Sequence, residues 1–283
     1  MELIQNSGTA ATLFENLLHD QAVGLSWLGQ AGFALRYSNH RLLIDPYLSD
    51  YLAHKYTGKE LSHVRIMPPP MEAGHVRDLD LVLCSHRHGD HMDPDSLPIL
   101  ARNNPRCRFM VPRAELDSAA NIGLSRSRLI PVNDGDTFHL CDDIQIRVIP
   151  SAHETLKQND KGEHYFLGFV LRMGAFTIYH SGDCVVYEDL ARRLRQMQVD
   201  LALLPVNGRS QRLATLGILG NMTFDEARDL CLEAGIGALV PHHFGMFDFN
   251  TVDPGELQRQ IERLDSTVLH CVLPQADKYI TLA

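Results

Sequence analysis

The chain has 283 residues, of which 45% are hydrophobic and 22% are charged, and its formal net charge is -9. This composition predicts a globular protein with a substantial core and excludes a disordered chain. The acidic balance argues against a nucleic-acid partner, which normally requires a basic patch. No apolar run approaches the roughly 18 residues of a membrane span, so no membrane span is expected.

The six cysteines are scattered and include no C-x-x-C pair. The N-terminus lacks the basic and apolar regions of a signal peptide. We therefore expect reduced thiols and a cytoplasmic protein. The sequence leaves open whether the chain forms a homo-oligomer.

The first part of the chain predicts a short helix followed by a meander of strands. Leu13, Phe14, Leu17 and Leu18 recur at helical spacing within residues 9–19, so residues 1–23 read as a helical lead-in. Short apolar segments separated by turn residues then predict strands at 24–28, 33–37 and 41–44. The polar, proline-rich segment 47–78 is expected to be irregular and to form an active-site wall.

The remainder alternates strand and helix patterns, which predicts an α/β fold in a single domain over residues 1–283. Strands are predicted at 81–84, 108–111, 144–148, 166–171, 176–179, 201–206, 238–240 and 267–273, and helices at 95–104, 113–122, 190–197, 224–234 and 256–264.

The stretch Ser85–Asp93 contains three histidines and two aspartates directly after the apolar run Leu81–Cys84. Neutral imidazole and carboxylate are ligands that zinc, manganese and iron sites favour. The H-x-H-x-D-H spacing lets a turn that leaves a strand aim alternate residues at one point. An ordinary solvated loop is the alternative, but such loops more often contain Gly, Asn, Ser and Asp.

Three further residues share this context, because His153, Asp183 and His243 each follow a predicted strand. Loops at one end of a sheet lie close in space even when they are distant in sequence. Taken singly, a histidine after a strand is usually a surface or core residue, and Gly-Asp is usually a turn. Together with the central motif, the three residues complete two metal-binding sets that share one carboxylate.

These motifs resemble those of the metallo-β-lactamase superfamily. Further segments are similar to its branch containing L-ascorbate-6-phosphate lactonase, and the resemblance extends from about residue 26 to the C-terminus. The superfamily motifs are Ser85–His91, Ser151–His153, His180–Asp183 and Pro241–His243; the branch motifs are Trp27–Gly32, Asp45–Tyr47, Leu204–Arg209 and Gly220–Thr223.

The resemblance implies a four-layer αββα sandwich with a two-metal site on one edge. By position, one metal would be held by His86, His88 and His153, and the other by Asp90, His91 and His243. Asp183 would bridge the two metals. His243 matches the motif better than its neighbour His242, which is assigned to a supporting role. Several members of the lactonase branch lack an equivalent of His153, so its presence favours a full binuclear site.

The resulting expectation is a hydrolase that uses a metal-bound hydroxide, with Asp90 and Asp183 as catalytic residues. Zinc or manganese is expected, and iron is a third option because no cysteine ligand selects zinc. The substrate class is a small anionic ester or lactone, such as a phosphorylated sugar lactone. The alternatives are a phosphodiesterase acting on phospholipids or nucleotides, and a non-hydrolytic di-iron or structural metal protein.

The remaining candidates have weaker signals. Either Asp90 or Glu154 is expected to pass a proton to the leaving group, and His180 to orient Asp183. A structural acceptor is an equal alternative for Glu154, as is a buried core histidine for His180. Arg209 and Arg212 are candidates for an anionic substrate group, against the alternative of ordinary surface arginines. Asn207 and Asn221 are expected to line the same pocket.

Overall fold

The computed structural model describes residues 1–16, 18–19 and 21–283. The chain forms two compact units. Unit 1 comprises Met1–Val132, Gly245–Phe249 and Gln275–Ala283, and unit 2 comprises Asn133–Phe244 and Asn250–Pro274.

Unit 1 is built on an eight-stranded sheet with the order β1-β15-β2-β3-β4-β5-β6-β7. Strands β2 to β4 form the predicted antiparallel meander, and β4 to β7 run parallel. The strands are β1 (Leu3–Ser7), β2 (Val23–Gly29), β3 (Gly32–Tyr37), β4 (His40–Ile44), β5 (Leu81–Leu83), β6 (Arg108–Pro112), β7 (Leu129–Val132) and β15 (Lys278–Leu282).

The helices of unit 1 are α1 (Ala10–Glu15), α2 (Tyr51–Lys55), α3 (Ser96–Asn103) and α4 (Leu116–Asn121). Helix α1 packs on β2, β3 and β15, while α4 packs on β6 and β7. The parallel strand β5 is a continuous apolar run, and each of its side chains is buried, as expected for a strand covered on both faces. Asp45 and Ser85 follow two adjacent parallel strands, so both lie at the carboxyl edge of the sheet.

Unit 2 is built on a seven-stranded sheet with the order β14-β13-β12-β11-β10-β9-β8. Strands β8 to β11 are antiparallel, and β11 to β14 run parallel. The strands are β8 (Thr137–Cys141), β9 (Ile144–Pro150), β10 (Leu167–Met173), β11 (Phe176–His180), β12 (Leu201–Pro205), β13 (Ala238–His242) and β14 (His270–Cys271).

The helices of unit 2 are α5 (Leu190–Gln196), α6 (Gln211–Thr215), α7 (Phe224–Ala234) and α8 (Pro254–Glu262). Helix α7 begins at the predicted capping box, in which Oγ1 of Thr223 accepts from the Glu226 N–H, and it packs on β12 and β13. Strands β9, β11, β12 and β13 all end at the same edge of the sheet.

The structure differs from the sequence prediction at the chain ends and at interior elements. Strands β7 and β8 and helices α2 and α6 were not predicted, and the strand predicted at 267–273 covers only His270–Cys271. Residues 1–23 do not form one helical lead-in, because Leu3–Ser7 form β1 and the helix covers only Ala10–Glu15. Leu17, which contributed to the predicted helical spacing, lies outside the described residues. The segment 47–78 was predicted to be irregular, but it contains α2 and a short 3-10 turn at Ala73–His75.

Candidate metal centre

The loop after β5 brings the rings of His86 and His88 together. Nε2 of His86 lies 2.9 Å from Nδ1 of His88. The ring of His91 packs against that of His86, with centroids 3.9 Å apart. The H-x-H-x-D-H spacing therefore produces the convergence of imidazoles that the sequence predicts for this part of the chain.

A carboxylate behind the loop fixes which nitrogen two of these rings present. Oδ2 of Asp45 accepts from Nδ1 of His91 over 2.7 Å and from Oγ of Ser85 over 2.5 Å. Since the Ser85 hydroxyl donates to Asp45, it accepts from Nδ1 of His86 at 2.9 Å. Both histidines therefore carry their proton on Nδ1 and present the lone pair of Nε2, as metal-binding histidines commonly do.

Asp45 was not among the residues predicted to form the site. It is fully buried and has a φ of 45°, a left-handed conformation uncommon outside glycine. Its N–H donates to the Leu83 carbonyl over 2.9 Å, which holds the end of β4 against the end of β5. The sequence indicated Asp45–Tyr47 only as a motif of the lactonase branch and gave Asp45 no role in the site.

Asp90, the carboxylate of the central motif, is positioned by Gln30. Nε2 of Gln30 donates to Oδ2 of Asp90 over 2.8 Å, and the same oxygen lies 3.8 Å from Nε2 of His91. Gln30 is itself buried. This hydrogen bond occupies one lone pair of Oδ2 and orients the carboxylate toward His91, its predicted partner.

Asp93 ties the histidine loop to its surroundings. Its carboxylate accepts from Oγ of Ser49 over 2.8 Å and from Oγ of Ser96 over 2.5 Å. Burial raises the pKa of this carboxyl, and the hydrogen bonds from Ser96 and Ser49 offset part of that rise. Asp93 joins the segment before α2 to the first turn of α3, so it holds the loop rather than presenting a ligand atom.

In unit 2, Asp183 and His243 lie together. Oδ1 of Asp183 is 3.1 Å from Nε2 of His243, and both residues are buried. His243 has a φ of 63°, a left-handed conformation that ends β13 and turns its side chain away from the strand direction. The structure therefore brings together these two predicted site residues, and the choice of His243 over His242 as a ligand stays a prediction.

His242 and His180 form a separate stacked pair. Their rings are 5.0 Å apart with an interplanar angle of 8°, and both are fully buried. The Gly182 N–H donates to Nδ1 of His180 over 3.0 Å, so His180 holds the turn that leads to Asp183. This contact is consistent with the predicted supporting role of His180.

His153 lies on a loop that is bonded to the Asp183 loop. Oγ of Ser151 donates to the carbonyls of Ser181 and Asp183, over 2.7 and 2.9 Å. His153 is buried and its ring is 5.1 Å from that of Phe166, whereas the adjacent Glu154 is exposed. The loops that carry His153 and Asp183 are therefore neighbours in unit 2.

The substrate-binding candidates lie after β12. Asn207 is hydrogen bonded to Asn221 at 3.0 Å. Arg209 donates to the Asn221 carbonyl over 2.8 Å and forms an ion pair with Glu226. Arg212 is exposed on α6. A carboxylate therefore already pairs with Arg209, which the sequence alone did not indicate.

The donor atoms present fit divalent cations. Two ligands of one cation, each bonded at about 2.0 to 2.2 Å, lie roughly 3 to 3.5 Å apart. The separations of 2.9 Å for His86 and His88 and of 3.1 Å for Asp183 and His243 are close to this value. Burial raises the pKa of the Cys184 thiol to about 11, so the thiol is protonated at neutral pH when no metal is bound. Nitrogen and oxygen donors suit zinc, manganese and iron.

Comparison with known proteins assigns the chain to a family. Residues 40–244 match the beta-lactamase superfamily domain. The chain belongs to this superfamily, and the predicted α/β metallo-β-lactamase-like fold class is confirmed.

Among the relatives is a UPF0173 metal-dependent hydrolase of Caldivirga maquilingensis, which is 25% identical over 89% of this chain and 96% of its own length. Two solved structures share the fold. A metallo hydrolase from Ignicoccus hospitalis has a TM-score of 0.65 at 20% identity, covering 93% of this chain and 99% of its own. A possible metal-dependent hydrolase from Veillonella parvula has a TM-score of 0.71 at 17% identity, covering 92% and 99%.

The relatives' names agree with the hydrolase class expected from the sequence, and none of those reported specifies a substrate. Within the part of the chain that the structure describes, no helix is both long and apolar enough to cross a membrane.

Proposed function

We propose that the chain is a metal-dependent hydrolase of small esters or lactones that binds two divalent cations, zinc or manganese. His86, His88 and His153 are the proposed ligands of one cation, and Asp90, His91 and His243 those of the other. Asp183 is the proposed bridge. The observation that carries this proposal is the hydrogen-bonded network of Asp45 and Ser85, which leaves Nε2 of two motif histidines as lone-pair donors.

Two bound cations would supply an activated water and would polarise the carbonyl oxygen of an ester. The protein contributes position and proton transfer. Gln30 holds Oδ2 of Asp90, and Asp90 is the proposed group that takes a proton from the attacking water and passes it to the leaving oxygen. Glu154 is exposed and is the alternative proton carrier.

The support for an ester or lactone is the likeness of Trp27–Gly32, Leu204–Arg209 and Gly220–Thr223 to the lactonase branch. The loop after β12 carries Asn207 and Arg209, and we assign the substrate's non-reacting part to this loop. The ion pair of Arg209 with Glu226 weakens the case for an anionic substrate, since an incoming phosphate would compete with a carboxylate already bound.

The test is hydrolysis by protein reconstituted with zinc or manganese, with a sugar lactone and an aryl phosphodiester assayed side by side. Metal-dependent ring opening without diester cleavage is the expected result. Diester cleavage without ring opening would replace the proposal with a phosphodiesterase. If the protein binds two equivalents of metal but shows neither activity, a non-hydrolytic metal protein would be favoured.

A further inference from the structure

A cleft of about 270 Å³ opens within unit 2, between the loop after β12 and the first turns of α7 and α8. Strand β12 lies between β11 and β13, whose ends carry Asp183 and His243. The Val206 N–H donates to the His242 carbonyl over 3.0 Å, and the Met222 N–H donates to the Cys184 carbonyl over 3.0 Å. Two segments of the cleft lining are therefore hydrogen bonded to the sequence neighbours of His243 and Asp183, the residues proposed as metal ligands of this unit.

The charges around this cleft are already paired. Arg209 forms an ion pair with Glu226, Arg228 with Asp225, and Arg259 with Glu256. An anionic or a cationic ligand would have to displace one of these partners. An uncharged ligand would leave all three ion pairs intact.

The cleft is lined by neutral hydrogen-bonding groups and by apolar side chains. Asn207, Thr223 and Gln260 supply amide and hydroxyl groups, and Phe224 and Leu257 supply buried apolar surface. A few placed polar groups over apolar side chains are typical of small-molecule sites, and this volume lies just below their usual range of about 300 to 1,000 Å³.

An unused acceptor lies behind the lining. Nδ2 of Asn207 donates to Oδ1 of Asn250 over 2.9 Å, and Oδ1 of Asn207 accepts from Nδ2 of Asn221 over 3.0 Å. Oδ1 of Asn221 is buried and has no hydrogen-bond partner among the described residues. Asn221 does not line the cleft, so this chain of amides supports the position of Asn207 in the lining rather than contacting a ligand through Asn221.

We propose that this cleft binds the uncharged, hydroxylated part of the substrate, of the size of a single sugar ring. The proposal rests on the proposed hydrolase function, because it takes the reacting carbonyl to lie at the metal ligands that adjoin the cleft. It also reverses one expectation from the sequence: a neutral hydroxylated lactone is the better substrate, and its phosphorylated form the poorer one.

The experiment compares three lactones with the metal-reconstituted protein: L-gulono-1,4-lactone, its 6-phosphate, and γ-butyrolactone, which has no hydroxyl groups. The variants are Gln260→Leu, which removes one hydrogen-bonding group, and Val252→Phe, which narrows the cleft. Gln258→Leu is the control, since Gln258 is bonded to Glu262 on the same helix and does not line the cleft.

For the neutral sugar lactone we expect Gln260→Leu to lower kcat/KM by about three- to tenfold through KM, the loss expected for one hydrogen bond. Hydrolysis of γ-butyrolactone should not change. Preference for the phosphorylated lactone, or equal losses on the sugar lactone and γ-butyrolactone, would overturn the proposal.

A binding measurement separates this inference from the hydrolase function. Saturation-transfer NMR with 1,5-anhydroglucitol, a neutral cyclic polyol that cannot be hydrolysed, detects binding without hydrolysis, and the variants locate that binding. Binding that is lost in Val252→Phe but retained in Gln258→Leu supports the cleft even if no lactone is hydrolysed. Hydrolysis of lactones together with no binding of the polyol would overturn the cleft and leave the hydrolase proposal standing.

Discussion

Oδ2 of Asp45 accepts a hydrogen bond from Nδ1 of His91 at 2.7 Å, and both side chains are fully buried. The carboxylate can only accept, so it fixes the proton of His91 on Nδ1. It acts in the same way on His86 through the hydroxyl of Ser85. Asp45 therefore sets the lone pairs of two motif histidines without presenting a ligand atom itself.

Replacing Asp45 with asparagine should weaken metal binding by about 10- to 100-fold, the range found when groups supporting a metal ligand are lost. If the asparagine turns its NH2 group toward Nδ1 of His91, that nitrogen must accept the hydrogen bond. The tautomer with the proton on Nε2 would then be favoured. The measurement is the apparent Kd for zinc, by competition with a chromophoric chelator. Asp142→Asn, at an exposed position, is the control; equal affinities in both variants would remove Asp45 from this role.

The assignment of His243 rather than His242 can be tested by two substitutions. His243→Ala should lower the metal content of purified protein, because its Nε2 is the donor atom beside Asp183. His242→Phe should retain the stacked contact with His180 and the wild-type metal content. Metal analysis by plasma mass spectrometry checks both. The opposite pattern would transfer the ligand role to His242.

His153→Ala should reduce the bound metal from two equivalents to one. Its loop is hydrogen bonded to the Asp183 loop through Ser151, so loss of the imidazole alone leaves that connection in place. The measurement is zinc stoichiometry by calorimetric titration of metal-free protein. Glu154→Ala on the same loop is the control, and unchanged stoichiometry in His153→Ala would indicate that His153 is not a ligand.

Gly89 separates His88 from Asp90 and has no room for a side chain. A Cβ at this position would lie 2.8 Å from atoms of both Tyr51 and Leu52, which belong to α2. Gly89→Ala should therefore cost about 1 to 3 kcal/mol in the free energy of unfolding, as overpacking usually does. Gly74→Ala, where a Cβ meets nothing within 4 Å, is the control in urea denaturation. Similar midpoints for the two variants would contradict this packing argument.

The proposed ligand residues could be selected from the sequence because the chemistry of His and Asp side chains is visible in the residue type. Asp45 could not, because its role depends on the parallel pairing of β4 with β5, which brings residues 40 positions apart into contact. The pairing of Leu3 with Leu282 joins the two ends of the chain. No local pattern marks such a partner, which explains why β1 and β15 were not predicted.

The surroundings of Arg209 could not be predicted for a related reason. An arginine after a strand suggests an anion site. The partner of Arg209, however, is Glu226, which also belongs to the capping box of α7. Only the fold shows that one carboxylate makes both the ion pair and the capping contact. The sequence correctly predicts the capping box, in which Glu226 accepts from the Thr223 N–H. It does not show that Arg209 reaches the same side chain.

His63 provides a test of stability against pH. Its ring stacks on Tyr56 at 4.2 Å and meets the rings of Phe247 and Phe249 at 5.2 and 4.7 Å. Burial lowers the pKa of His63, an effect opposed by the bond to the Leu61 carbonyl and by the charge of Asp90 and reinforced by Lys55. A histidine whose folded pKa lies below its unfolded value of about 6.5 loses stability as the pH falls below that value, because the unfolded state binds the proton first.

His63→Phe keeps the aromatic contacts and removes the titrating group. The free energy of unfolding of this variant should therefore fall less than that of wild type between pH 8 and pH 5. Urea denaturation in the presence of a chelator measures the difference without a contribution from metal release at low pH. His75→Phe, at a side chain that is 80% exposed, should follow the wild-type curve. Parallel curves for wild type and His63→Phe would mean that burial of His63 does not contribute to the acid sensitivity of the fold.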